Sequence, residues 1–334
     1  MLSLANGPIE VKILGAGSNW LKVGSMIGLG LTGYYSQLPK GSSVSVHTAH
    51  PGEMCLAGPG LVDSGVYHFG ITTPPWLARL AAEGRGSHGF AEKPLRLRAV
   101  CVLPHFDQLA LAVRRDLGIT SIRQLKDQKV ALKMSTAPTH LGHPVGWVLD
   151  VLLAEYGMRI EDFERWGGEV IYGDRQPNFL EKVPAGRRDR VSGMKSGALN
   201  AVFDEALMTF PWKEIADSVE LTYLPIDRDV LQTLERKYGM KPTVIPKGRL
   251  RGVNDDVPTI DFAGWILYCR EDLPDQLVYL TVGAIEQQRA QIESLFQPGQ
   301  GLTDTIDVSK IWRGTELPLH PGAERYYREK GYLS

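Results

Sequence analysis

Ile9–Leu14 (IEVKIL), then Gly15-Ala16-Gly17-Ser18-Asn19-Trp20, then Leu21–Tyr35 is the stretch on which the fold turns. The opening residues read as a short apolar strand and the next six as a loop of small and hydroxyl side chains. Leu21–Tyr35 then carries apolar residues at helical spacing. The same succession recurs downstream. Ser43–Thr48 (SVSVHT) alternates as a half-buried strand does, and His50-Pro51-Gly52-Glu53-Met54-Cys55 reads as a turn leading to a helix near Leu61. Val66–Thr72 is another strand. Pro74 and Pro75 then open a helix over Trp76–Glu83, because proline's missing donor costs nothing in a first helical turn. Past a glycine-rich loop, Gly84–Gly89, Leu95–Leu103 and Leu109–Arg114 are strands. Strands alternating with helices predict an α/β fold built on mixed, mainly parallel sheets flanked by helices.

Composition limits what such a fold does. At 334 residues the chain exceeds one ordinary domain of roughly 100–200 residues, so two lobes are expected. Its 37 basic and 38 acidic side chains leave a formal charge of −1, without the basic surplus of a nucleic-acid binder. No apolar run approaches the ~18 residues of a membrane span. Cys55, Cys101 and Cys269 are too scattered for a disulfide framework or a zinc ribbon; Cys101 and Cys269 sit in apolar strands and read as core. Met1–Val11 has neither a basic region nor a long apolar stretch. The expected location is therefore periplasmic if a signal peptide was removed upstream, and cytoplasmic otherwise. No GxGxxG or GxxxxGK[ST] opens a helix, and no cofactor is expected.

Leu117–Leu132 (LGITSIRQLKDQKVAL) resembles the segment of type II solute-binding proteins in which the chain crosses into a second lobe, and Ser196–Ala206 (SGALNAVFDEA) resembles their returning strand. Val244-Ile245-Pro246, Asp256-Val257-Pro258-Thr259, Leu267–Leu273 and the tail from Pro318-Leu319-His320-Pro321-Gly322-Ala323 to Tyr326-Tyr327 resemble the TAXI receptors of TRAP transporters. The resemblance runs in order over about Val11–Gly331. It implies a type II periplasmic-binding-protein fold, with residues 1–107 and 222–334 in one lobe, residues 108–221 in the other, and a ligand cleft between them. It also implies a small organic anion, carboxylate-like, as ligand and TRAP membrane subunits as partner. The loops Gly15–Trp20 and His50–Cys55 depart from the patterns that TAXI receptors carry there.

In open α/β sheets ligands sit beyond the carboxyl ends of strands. That rule picks Gly17, Ser18, Asn19 and Trp20 from the first loop and His50, Glu53, Met54 and Cys55 from the second. Thr72 and Thr73 follow from the third loop, and Ser135, Thr136, Thr139 and His140 from a fourth. Hydroxyls here suit a carboxylate, although ordinary helix capping uses the same residue types. Asp204 and Glu205 end a strand over Ala198–Phe203; Glu205 is the one expected at the ligand, able to hold an amine or act as an acid/base. Phe106 and Phe203, with Trp20 and Trp212, are candidate aromatic walls, and Arg98, Arg114 and Arg175 candidate clamps. Arg187-Arg188-Asp189-Arg190 reads as a solvated loop. His47/His50 and His140/His143 are each spaced HxxH, but neither pair sits on a clear helix and no metal is expected.

Two functions fit this reading. One is a solute receptor that closes on its ligand and performs no chemistry. The other is a cytoplasmic enzyme on the same scaffold, a decarboxylase, dehydratase or desulfinase, with Cys55 as nucleophile, His50 or His68 as base, and Glu53 and Glu205 as working groups.

Overall fold

The computed structural model describes residues 7–49, 51–86, 90, 92–137, 143–172, 190–207, 209–296 and 301–334, without the side chains of 17, 18, 51–54 and 172. Twelve strands run through the described residues: β1 Glu10–Leu14, β2 Ser43–His47, β3 Phe69–Thr72, β4 Leu97–Leu103, β5 Ala110–Arg114, β6 Lys133–Thr136, β7 Glu169–Tyr172, β8 Ala201–Asp204, β9 Leu221–Tyr223, β10 Pro242–Ile245, β11 Val257–Ile260 and β12 Trp265–Arg270.

The chain divides into two compact units, Met1–Phe106 with Ala263–Ser334, and Asp107–Phe262. In the first unit the sheet order is β2-β1-β3-β12-β4, with β2, β1 and β3 parallel and β12 antiparallel to both its neighbours. In the second the order is β7-β6-β8-β5-β9, with β7, β6 and β8 parallel and β5 antiparallel to both its neighbours. Each sheet therefore has four strands pointing one way and one, next to an edge, pointing back. In each unit the reversed strand is the one that enters from the other unit's stretch of chain. The fold is the expected one: α/β, type II periplasmic-binding-protein-like, with helices packed on mixed sheets.

The central strands explain why these layers form. β3 (FGIT) and β8 (AVFD) are buried at every position, as strands covered on both faces must be. β2, at a sheet edge, is only partly buried along its length. Gly70 in β3 is required by packing, since a Cβ there would lie 2.6 Å from the Tyr268 hydroxyl of the neighbouring strand. The LGITSIRQLKDQKVAL segment carries its own helix signal. Ser121 caps Ile122–Asp127, its hydroxyl accepting from the Gln124 amide while the Gln124 side chain accepts from the Ser121 amide.

Several expected boundaries shift. The first helix spans Gly17–Thr32, so Gly17-Ser18-Asn19-Trp20 form its first turn rather than a loop, and Ala16 is the N-cap. The helix Pro51–Asp63 likewise absorbs the expected turn at Pro51–Cys55. The chain also returns to the first unit later than residue 222. β9 completes the second sheet beside β5, and β10 and β11 pair antiparallel. Ile245, Leu250 and Val253 then join the apolar cluster of Trp212, Ile215 and Tyr223, so the Val244-Ile245-Pro246 and Asp256–Thr259 motifs belong to the second unit.

Candidate functional site

In the second unit the carboxyl ends of β6 and β8 lie beside the start of β5, because β5 runs antiparallel to β8 with Ala110 opposite Asp204. Three buried carboxylates gather at this edge: Asp107, Asp204 and Glu205. Asp107 accepts backbone N–H bonds from Gln108 at 2.9 Å, Ala206 at 2.6 Å and Leu207 at 3.1 Å, fixing the turn after β8, where Ala206 takes φ +63°. Three amide donors compensate a buried carboxylate well, so Asp107 organises the edge. The Asp107 and Glu205 carboxylate oxygens lie within 4.8 Å of each other. Glu205 is itself anchored by backbone contacts: its amide donates to Asp204 Oδ1 at 2.9 Å, and its carbonyl accepts Trp212 Nε1 at 2.8 Å.

Arg190, the first residue of the helix Arg190–Ser196, supplies a largely buried cation at this edge. Its Nε donates to Ser135 Oγ at 3.0 Å and its Nη1 to Asp204 Oδ2. Val202 is opposite Ser135 across the ladder, and Asp204 is two residues further on, so both point to the face that Arg190 covers. Nη2 of Arg190 is buried with no partner, and so is the hydroxyl of Thr136, the last residue of β6. Buried donors without acceptors are rare, because each costs about 1–3 kcal/mol. The strand ends here hold two, one of them an arm of the Arg190 guanidinium itself.

The sequence missed Arg190 by grouping it with a charged run read as solvated. Of the clamps it did name, Arg98 pairs with Glu271 at 3.0 Å and is about a third exposed. Arg114 pairs with Asp116 and donates to the Met194 carbonyl at the far end of β5, away from the carboxyl edge. Arg175 lies outside the described residues, as do Thr139, His140 and His50. The signal that would have found Arg190 is its place at a helix start, just before the apolar run that packs under β8.

The aromatic expectations change too. Phe203 and Trp212 are buried in the second unit, Trp212 stacked 6.4 Å from Tyr223. Phe106 is 43% exposed and its amide donates to Thr303 Oγ1 at 2.8 Å.

In the first unit, Trp20 is buried edge-on to Trp265 at 6.5 Å, and Asn19 is partly buried in the first turn of its helix. Trp265 also stacks on His105 at 4.8 Å. The side chains of Gly17, Ser18, Glu53 and Met54 are outside the description. Thr72 Oγ1 donates to the Cys55 carbonyl at 3.3 Å and Thr73 Oγ1 to the Gly264 carbonyl at 3.0 Å, so both hydroxyls are used within the unit.

Cys55 is buried. His68 cannot serve it as base. His68 precedes β3 while the Cys55 carbonyl meets Thr72 at the strand's other end, about 13 Å away at ~3.3 Å per residue. His68 Nδ1 instead accepts the Lys12 amide at 2.8 Å. His47 bonds Ser45 at 2.9 Å, and His143 Nδ1 caps its helix by accepting from the Val145 amide at 3.2 Å. None of the three cysteines is in a disulfide, and burial pushes the Cys101 thiol up to about 12.

The tail resemblance has a structural explanation. Leu319 bridges Ala99 beside β4, and His320 Nδ1 accepts from the Gly322 amide at 3.1 Å to cap Pro321–Glu329. Tyr327 donates to the Val100 carbonyl at 2.9 Å.

Two sheets, each with one reversed strand, define the class of the protein by its fold: α/β and type II periplasmic-binding-protein-like. Residues 60–331 match the model of the NMT1-like family, and the chain belongs to that family. Among solved structures it is similar to MatC from Rhodopseudomonas palustris with bound malate, at 11% identity over 97% of this chain and 98% of that one, TM-score 0.47. It is also similar to PhnD1 from Prochlorococcus marinus in complex with methylphosphonate, at 12% over 98% and 100%, TM-score 0.47. A third is the periplasmic aliphatic sulphonate binding protein SsuA from Escherichia coli, at 13% over 98% and 84%, TM-score 0.38.

Proposed function

We propose that this chain is an extracytoplasmic solute-binding receptor of the TAXI type, which takes up a small organic acid and passes it to TRAP membrane subunits. The observation that carries the acid is the buried Nη2 of Arg190, unpaired at the carboxyl edge of the second sheet. A guanidinium whose other nitrogens are fixed by Ser135 and Asp204 is held in one orientation, so little entropy is lost when a carboxylate docks. The TAXI-like C-terminal motifs support the transport role. Placement outside the cytoplasm follows from that role.

Arg190→Lys is the test. Lysine keeps a positive charge for Asp204 but loses the fixed second arm. A thermal-shift screen of small carboxylates with the wild-type protein, followed by calorimetry on the hits, should give affinities that fall at least tenfold in Arg190→Lys. Unchanged affinities would remove Arg190 from the site. Uptake of the identified acid should require both the receptor and the membrane subunits.

A further inference from the structure

We propose that Gln108 is a specificity-determining residue and that the solute is a small acid carrying a hydroxyl or carboxamide group. The inference rests on the receptor reading above and deepens it. Gln108 is fully buried, yet neither its amide nitrogen nor its amide oxygen has a partner. Its backbone is tied on both sides, the amide to Asp107 Oδ1 at 2.9 Å and the residue to Asp261 by an isolated antiparallel bridge. The side chain is therefore held by its backbone and by nothing at its polar end.

Its position points to the solute. Gln108 lies two residues before Ala110, which is opposite Asp204, and the extended chain continues through Leu109, whose amide bonds the Ile260 carbonyl at 3.1 Å. Strand alternation puts Gln108 on the face of Asp204, Ser135 and Arg190, one step further out along the carboxyl edge. Two unpaired buried polar groups thus share this face of the edge: the guanidinium arm and this carboxamide.

The chemistry of each group selects a different part of the ligand. The guanidinium arm only donates, which suits a carboxylate oxygen. The carboxamide donates from one end and accepts at the other, so a bare carboxylate satisfies half of it and an alkyl group none. A hydroxyl or a second amide satisfies both ends. For the folded protein alone, a carboxamide buried in this way is a liability that methionine of similar length would remove. A residue that costs stability and lines a polar edge is best explained by what it binds.

Calorimetry on the full chain with matched probes tests this: lactate against propionate, tartrate against succinate, and succinamate against butyrate. Wild type should bind the substituted member of a pair at least tenfold more tightly, because sites built to hydrogen-bond a group reject analogues that lack it. Gln108→Met should bind both members within about threefold of each other, and its ligand-free melting temperature should equal or exceed wild type. Retained discrimination in Gln108→Met, or a clearly lower melting temperature, would overturn the proposal, the second by showing a structural role. Equal binding of both members by wild type sinks this inference and leaves the receptor reading standing. Failure of wild type to bind any of the six acids sinks both.

Discussion

At Arg190 a single guanidinium is only partly used by the fold. Two of its nitrogens hold Ser135 and Asp204, and the third is buried without a partner. Removing the whole side chain strands the buried Asp204, so Arg190→Ala should lower stability by about 3–5 kcal/mol in denaturant melts, beyond any effect on binding. Arg190→Met combined with Asp204→Leu should recover most of that loss, since replacing both partners of a buried pair by apolar groups is often neutral. A double variant as unstable as Arg190→Ala would mean that the pair's neighbours, not the pair, carry the cost. This residue was hidden in the sequence because a charged run looks the same whether its last member faces solvent or turns under a sheet. The position rule for α/β sheets put Ser135, Thr136 and Glu205 at or just past strand ends, where the structure has them too. Phe203, expected as a wall, is buried, because an aromatic near a strand end faces inward or outward according to register alone.

Among the elements, the C-terminal helix Pro321–Glu329 shows how a motif can be about packing. A Cβ on Gly322 would lie 2.1 Å from the Asp275 carbonyl oxygen, against backbone that has no room to retreat. Gly322→Ala should therefore destabilise by several kcal/mol or prevent folding. Gly60, inside the helix Pro51–Asp63, has nothing within 4 Å of the same position. Gly60→Ala should stabilise by about 0.5–1 kcal/mol through helix propensity. Thermal melts of the two variants decide whether the close approach is real; similar melting temperatures would contradict it. The His-Pro-Gly-Ala motif was visible in the sequence as part of the TAXI-like tail. The clash was not, because Asp275 is remote in sequence.

For the molecule as a whole, two buried histidines set the response to mild acid. Burial lowers the pKa of His68 and of His320 below the ordinary imidazole value. Each also accepts an amide hydrogen at Nδ1, from Lys12 and Gly322 respectively, which a protonated ring cannot do. In the unfolded chain both would take up protons near pH 6.5, so the unfolded state binds more protons and stability rises with pH there. Their contribution is complete above that value and is lost as pH falls through the lowered folded values. Stability measured from pH 7.5 to pH 5 should therefore decline, and His68→Gln with His320→Asn should flatten the slope. A wild-type profile flat over that range would contradict the assignment.

The sequence by itself determined the α/β class, the order of strands and helices and the residue types that stand at the strand ends. These are set by local periodicity and by residues a few positions apart. Tertiary structure alone decided that the chain leaves its second unit at Phe262 rather than near Leu221, that Phe203 and Trp212 belong to the core, and that Arg190 and Gln108 meet the carboxyl edge. Each of these depends on pairing between segments far apart in the chain, above all the antiparallel register of β5 against β8, and no local pattern encodes that register.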